Sequence, residues 1–231
     1  MKQSRESSPR GDTTANTYTD LGAVTKEAYE ISITSRRLAR ERLGNESPED
    51  RIRQRCAVAV GDFSLADLVR FRGDPVPAAV EALCRSVPII TDIRMVQVGI
   101  LKKGHQSDIL CALDHGSGIA AAEGITRSSA GFRALKDEIE GAIIVIGNAP
   151  TALLTVCGMV SGGCRPAVII GTPVGFVSAA ESKALLRTLD IPSISTEGTR
   201  GGTPVAVAAM NECITIYAEQ AGRHAGPGHR I

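Results

Sequence analysis

Tryptophan is absent and aromatic residues make up only 3% of the chain, so there is little from which to build the stacking platforms that hold single-stranded nucleic acid. An excess of one charge is missing too. The 26 Lys and Arg stand against 25 Asp and Glu, which argues against a general nucleic-acid binder. No apolar run approaches the roughly 18 residues of a membrane span, and the opening MKQSRESSPRGDTTANT has no apolar core of a signal peptide. Cys56, Cys84, Cys111, Cys157, Cys164 and Cys213 form no CxxC pair, and four of them sit in apolar runs. Small core thiols in a reducing cytoplasm are expected, not disulfides or a zinc site. Also missing are GxGxxG with its acidic partner, GxxxxGKS/T, a GxSxG elbow and HExxH, which disfavours a dinucleotide site, a P-loop, a serine hydrolase and a zinc protease. The expectation is a cytoplasmic protein with no membrane or nucleic-acid partner.

What is present suits a single domain. The 231 residues are 43% apolar, enough for a sizeable core. Residues 1–17 are polar and rich in Ser and Thr, and 222–231 (GRHAGPGHRI) is a second polar tail. Both are expected to be disordered, which leaves His224 and His229 weak candidates for any site and 18–221 as the folded domain. From Asp20 the spacing of Leu21, Val24, Ala28 and Ile31, extended by Ser35 and Leu38, predicts a helix with that side buried and Ser32 beside Ile31. Ser47 and Pro48 read as cap and first residue of a second helix, reaching about Val60. Four apolar runs follow at about 88–92, 109–113, 141–146 and 167–170, separated by helical segments, and a short fifth strand is read at 193–196. Strands alternating with helices predict an α/β fold: a three-layer α/β/α doubly wound parallel sheet of about five strands.

Ligands of such sheets sit beyond the carboxyl ends of the strands. Those ends carry Asp92, GNAPT (147–151), GTPVGF (171–176) and EGTRGGT (197–203). Glycines let backbone N–H groups point outward, and a following helix start adds partial positive charge. Three such turns on one rim predict a floor for carboxylates or phosphates, assisted by nearby arginines. The rim shows no nucleophile with a base, which suits a large polycarboxylate undergoing rearrangement.

The motifs GNAPTAL (147–153), RPAVIIGTPVGFVSAAESK (165–183) and TRGGTPVAVAAMN (199–211), with TDIRMVQVGI (91–100) and ITRSS (125–129), resemble those of the precorrin-8X methylmutase family, the precorrin isomerases of cobalamin biosynthesis. The likeness runs from about Tyr29 to Ala218. It implies a flavodoxin-like fold, a homodimer with a deep site near the subunit interface, and no cofactor. The implied reaction moves a methyl group between adjacent carbons of ring C, turning precorrin-8X or its cobalt form into hydrogenobyrinic acid or the cobalt equivalent. By the same resemblance Ser32 and Arg127 line the substrate pocket. Gly147, Asn148, Ala149, Gly171, Pro173, Val174 and Gly175, with Arg200, hold the macrocycle's side chains, and no metal site is implied.

One position departs from the family. Where many members carry a histidine thought to protonate the ring, this sequence has Val58, three residues before Gly61-Asp62-Phe63. A register slip of two would put Cys56 there. Valine cannot donate a proton, and three accounts stay open. Migration is driven by positioning and electrostatics without general-acid help that is typically worth about 10²–10⁴-fold; or another group such as His115 supplies the proton; or the chain binds a corrinoid without isomerising it.

Overall fold

The computed structural model describes residues 25–224; the disorder expected of 1–17, the helix expected over 20–24, and His229 lie outside them. Two helices come first, α1 (Lys26–Leu43) and α2 (Pro48–Val60). They are followed by β1 (Val69–Arg72), α3 (Pro75–Cys84), β2 (Ile89–Thr91), α4 (Arg94–Gly99) and β3 (Ile109–Cys111). Then come α5 (Ser117–Glu123), α6 (Arg127–Ala134), β4 (Ile143–Ile146), α7 (Pro150–Ser161), β5 (Val168–Gly171), α8 (Ala179–Thr188), β6 (Ser193–Thr196) and α9 (Thr203–His224). α9 thus carries helix through Gly222, into the stretch expected to be a loose tail.

Among the described residues the sheet has six strands in the order β1-β6-β5-β4-β2-β3. The five predicted strands all run parallel. The sixth, β1, pairs antiparallel with β6, Val69 opposite Thr196. Its sequence, Val-Arg-Phe-Arg, has no apolar run to betray it, because an edge strand needs cover on one side only. The two arginines also discourage another chain from pairing there.

β4 and β5 are buried at every residue, and their side chains alternate between two cores. Ile143, Val145, Val168 and Ile170 pack with Ile52, Val76, Val96 and Val205 of α2, α3, α4 and α9. Ile144, Ile146 and Ile169 face Phe132, Leu153 and Leu186 of α6, α7 and α8. A continuous apolar strand with helices on both faces is how a parallel sheet is stabilised. Burial of each such isoleucine contributes about 1.5–3 kcal/mol.

α2 starts as predicted. Ser47 Oγ accepts from the Asp50 N–H at 3.2 Å and Asp50 accepts from the Ser47 N–H at 3.0 Å, with Pro48 in the first turn. α1 corrects its prediction. The face expected inward is outward, Ile31 and Leu38 being exposed, and the buried residues are Arg36 and Ala39, with Ser32 half-buried on the same stripe. Charge explains the rotation. Glu212 of α9 is fully buried and accepts from Arg36, from Arg51 Nε at 2.8 Å and from Arg55 at 3.1 Å. Arg51 also forms a two-pronged pair with Glu219, at 2.8 and 3.1 Å. A carboxylate taken out of water needs such company, and meeting that need turns α1 so that Arg36 points in.

Glu212→Leu therefore leaves three arginines facing an apolar group. It should cost about 3–5 kcal/mol, read as a lower midpoint in urea unfolding.

Candidate functional site

The parallel strands end on one side of the sheet, and each end feeds a turn that carries candidate residues. The five parallel strands, about 4.8 Å apart, make a rim about 19 Å long. One strand from its centre β2 ends at Asp92, which is completely buried. Its carboxylate accepts from the backbone N–H of Gly147 at 3.2 Å, Asn148 at 2.8 Å and Ala149 at 2.9 Å. These donors at the start of α7 were expected to meet a ligand; an internal carboxylate already occupies them. Burial pushes the Asp92 carboxyl above its ordinary pKa, against the downward pull of the three N–H groups. What the 147–149 turn offers outward is the exposed Asn148 side chain. Gly147 is glycine for a packing reason, since a Cβ there would meet Val96 and the backbone of Thr203 at 2.9 Å.

On one flank stand Arg127 and His115. Thr126 caps α6, and its hydroxyl lies 2.9 Å from that of Thr151, joining the start of α6 to the start of α7. Arg127 is exposed and donates to the carbonyl of Leu113 at 3.2 Å, beside the turn after β3 that holds half-buried His115. The sequence-predicted arginine and histidine therefore share one corner of the rim.

On the other flank two glycine turns are stitched together. Gly202 N–H donates to Thr172 O at 2.7 Å and Gly175 N–H to Thr199 O at 3.1 Å. A Cβ on Gly201 would lie 2.3 Å from Thr172 O, so no other residue permits this approach. Gly171 and Pro173 are buried, the former against Leu153 and Leu186. Their part is to shape the turn, while Val174, Gly175 and Phe176 form its open surface, Phe176 being 94% exposed. Arg200 turns away from the centre: it donates to Ser64 Oγ at 3.1 Å and pairs with Asp62. The Ser64 hydroxyl and N–H, then Arg200, hold the Asp62 carboxyl below its usual pKa. Asp62 thus caps the following turn and also grips the arginine.

Val58 lies near the end of α2 at this flank, 38% exposed, with Val60 and Phe63 exposed beside it. Cys56 is fully buried, its thiol 3.7 Å from Val205 O and pushed up by burial to about 12. That removes it as a proton donor and leaves Val58 as the outward-facing position. Asp62 and Lys183 are the site groups whose connections sequence reasoning missed. Lys183 lies completely buried beneath the turn of Arg200, and its place at helical spacing between Ala179 and Leu186 was the one signal. Among the described residues no group of His, Cys, Asp and Glu could hold a metal ion, and no helix is long and apolar enough to cross a membrane.

The fold is thus an α/β/α sheet whose carboxyl rim bears arginines and glycine turns, the class in which ligands are met beyond the strand ends. Comparison with known proteins is more specific. The chain belongs to the precorrin-8X methylmutase family, which it matches over residues 30–216. It is 39% identical over 207 residues to a cobalt-precorrin-8 methylmutase of Methanocaldococcus jannaschii, covering 84% of this chain and 96% of the relative. A precorrin-8X methylmutase of Pseudomonas aeruginosa is 33% identical over 194 residues, 81% of this chain and 93% of that one. The crystal structure of the Thermus thermophilus precorrin-8X methylmutase superposes with a TM-score of 0.77 at 32% identity, covering 83% of this chain and 97% of that one.

Replacing Asp92 with Ala strips three N–H groups at the rim of their acceptor. The variant should lose about 3 kcal/mol of stability, measured by chemical denaturation.

Proposed function

We propose that the chain is an isomerase that moves a methyl group on ring C of precorrin-8X or cobalt-precorrin-8, giving hydrogenobyrinic acid or its cobalt form. Membership of the methylmutase family over residues 30–216 carries this reading. The rim supports it physically: a macrocycle with acetate and propionate arms spans several strand ends, and Arg127 and Arg200 sit on opposite flanks to receive carboxylates. Ser32, Arg127, Asn148, Val174, Gly175 and Arg200 contact the substrate, while Gly147, Ala149, Gly171 and Pro173 hold the turns in shape. Arg200 exchanges its bond to Asp62 for one to a substrate carboxylate. The reaction is a rearrangement within one molecule, so it balances without a co-substrate or an external oxidant, and six free cysteines suit a cytoplasmic enzyme.

The proton step rests on groups other than residue 58. His115, half-buried beside Arg127, is the candidate donor. One observation favours a second reading, a corrinoid-binding protein that does not isomerise: Val58 faces outward where a donor would stand, and valine has no proton to give.

The working unit is a homodimer. Val58, Val60, Phe63, Val174, Phe176 and Val177 leave apolar surface uncovered around the rim, and a second copy would cover it and enclose the site.

With purified protein and precorrin-8X, followed by the change of visible spectrum to that of the corrin, wild type should turn over. Arg127→Ala should lower kcat/KM at least about tenfold, and Val58→His should raise kcat within the roughly 10²–10⁴-fold range of general-acid help. Wild type that binds but matches buffer in rate would establish the second reading. Light scattering at micromolar concentration should give the mass of a dimer, and Phe176→Asp should shift it toward monomer; a monomeric wild type would count against an interface beside the site.

A further inference from the structure

Lys183 is an unusual group to find inside a protein. Its side chain is completely buried on the inner face of α8, and its ammonium donates to Thr196 Oγ1 at 3.1 Å and to the carbonyl of Arg200 at 2.7 Å. Thr196 Oγ1 donates to the same carbonyl at 2.6 Å. Among the described residues no carboxylate pairs with this cation. The other charged residues of α8 are Glu181, exposed and two positions back, and Arg187, one turn on, which bonds Ser195 Oγ and Thr196 O. α7, packed against α8, has no charged residue, and neither has β5 or β6. Beyond β6, Glu197 is engaged by Arg70 of β1, and Arg200 by Asp62.

A buried ammonium with only neutral acceptors is costly, and burial followed by the like charge of Arg187 lowers its pKa to about 8. A fold that needed only to fill this space would use a methionine. The position of the charge points to another use. It lies directly under the 199–202 turn, whose upper side is stitched to the 172–175 turn. A carboxylate arriving on that turn would find a positive charge beneath a thin layer of backbone.

We propose that Lys183 is a positioning residue of the substrate site: it fixes the 199–202 turn from below and supplies the positive potential that draws a substrate carboxylate to Arg200. The second half rests on the isomerase reading above; the first does not. The coupling runs both ways. An anion on the turn favours the charged amine, so substrate binding should weaken as pH rises past about 8, where the free protein gives up this proton.

Two experiments test this. In ligand-free Lys183→Met, amide exchange at Gly175 and Gly202 should speed up at least about tenfold, the value of one charge-assisted hydrogen bond, while β4 stays protected. Unchanged exchange overturns the positioning role whether or not the chain isomerises anything. With precorrin-8X, KM should rise about tenfold in Lys183→Met, with kcat changing much less. Wild-type KM should climb above pH 8, and that of Lys183→Met should stay flat. Equal KM values and equal pH profiles overturn the electrostatic role. A wild type that binds no tetrapyrrole refutes the isomerase reading, and with it the electrostatic role, while the exchange result still decides the positioning role. Should Lys183→Met fail to fold, Arg187→Gln reads the same group: loss of the like charge should move the alkaline rise of KM to higher pH, and an unmoved rise overturns the proposal.

Discussion

The carboxylate of Asp92 sits where the rest of the site has to be built around it. A helix start at the end of a buried parallel strand exposes N–H groups that must find acceptors. Here one side chain from the neighbouring strand satisfies three of them at 2.8–3.2 Å. β2 and β4 are thereby locked together at their carboxyl ends, and α7 starts from a fixed point. The same bond removes the most obvious anion receptor from the centre of the rim. What the rim leaves open to solvent lies on the flanks, where arginines and the stitched glycine turns stand.

The flanks are held by charges at different depths. Glu212, with Arg36, Arg51 and Arg55, joins α1 and α2 to α9 in the core, which sets where Ser32 and the outward-facing Val58 stand. Asp62 holds Arg200 at the surface, where both groups are well exposed and the pair is easily exchanged. Lys183 holds the backbone of the same turn from inside. A fixed backbone beneath an exchangeable side chain is a suitable arrangement for capturing an anion, since the turn need not reorganise when the arginine changes partner.

Much of the fold was legible in the residues. Four of the five parallel strands are apolar runs bounded by turn residues, and the cap of α2 is written in Ser47, Pro48 and Asp50. His115 was legible as a rim residue because it follows a strand end, and Arg127 was legible only through the family resemblance of ITRSS. Strand β1 was not, since two of its four residues are arginines and its pairing with β6 spans more than a hundred residues. Nor was the orientation of α1. Its apolar spacing pointed one way, and a buried glutamate far along the chain turned it the other.

The family, the doubly wound architecture and the positions of the strand ends could be read from the residues alone, because apolar periodicity, glycine turns and ordered motifs are local properties of the chain. How the candidate groups are used is a matter of the folded arrangement. It gave the N–H groups of 147–149 to Asp92, the side chain of Arg200 to Asp62, the carbonyl of Arg200 to Lys183, and the interior to Cys56. Each of these choices depends on groups distant in sequence competing for the same hydrogen bonds or the same space, and that competition is settled only when the strands are brought side by side.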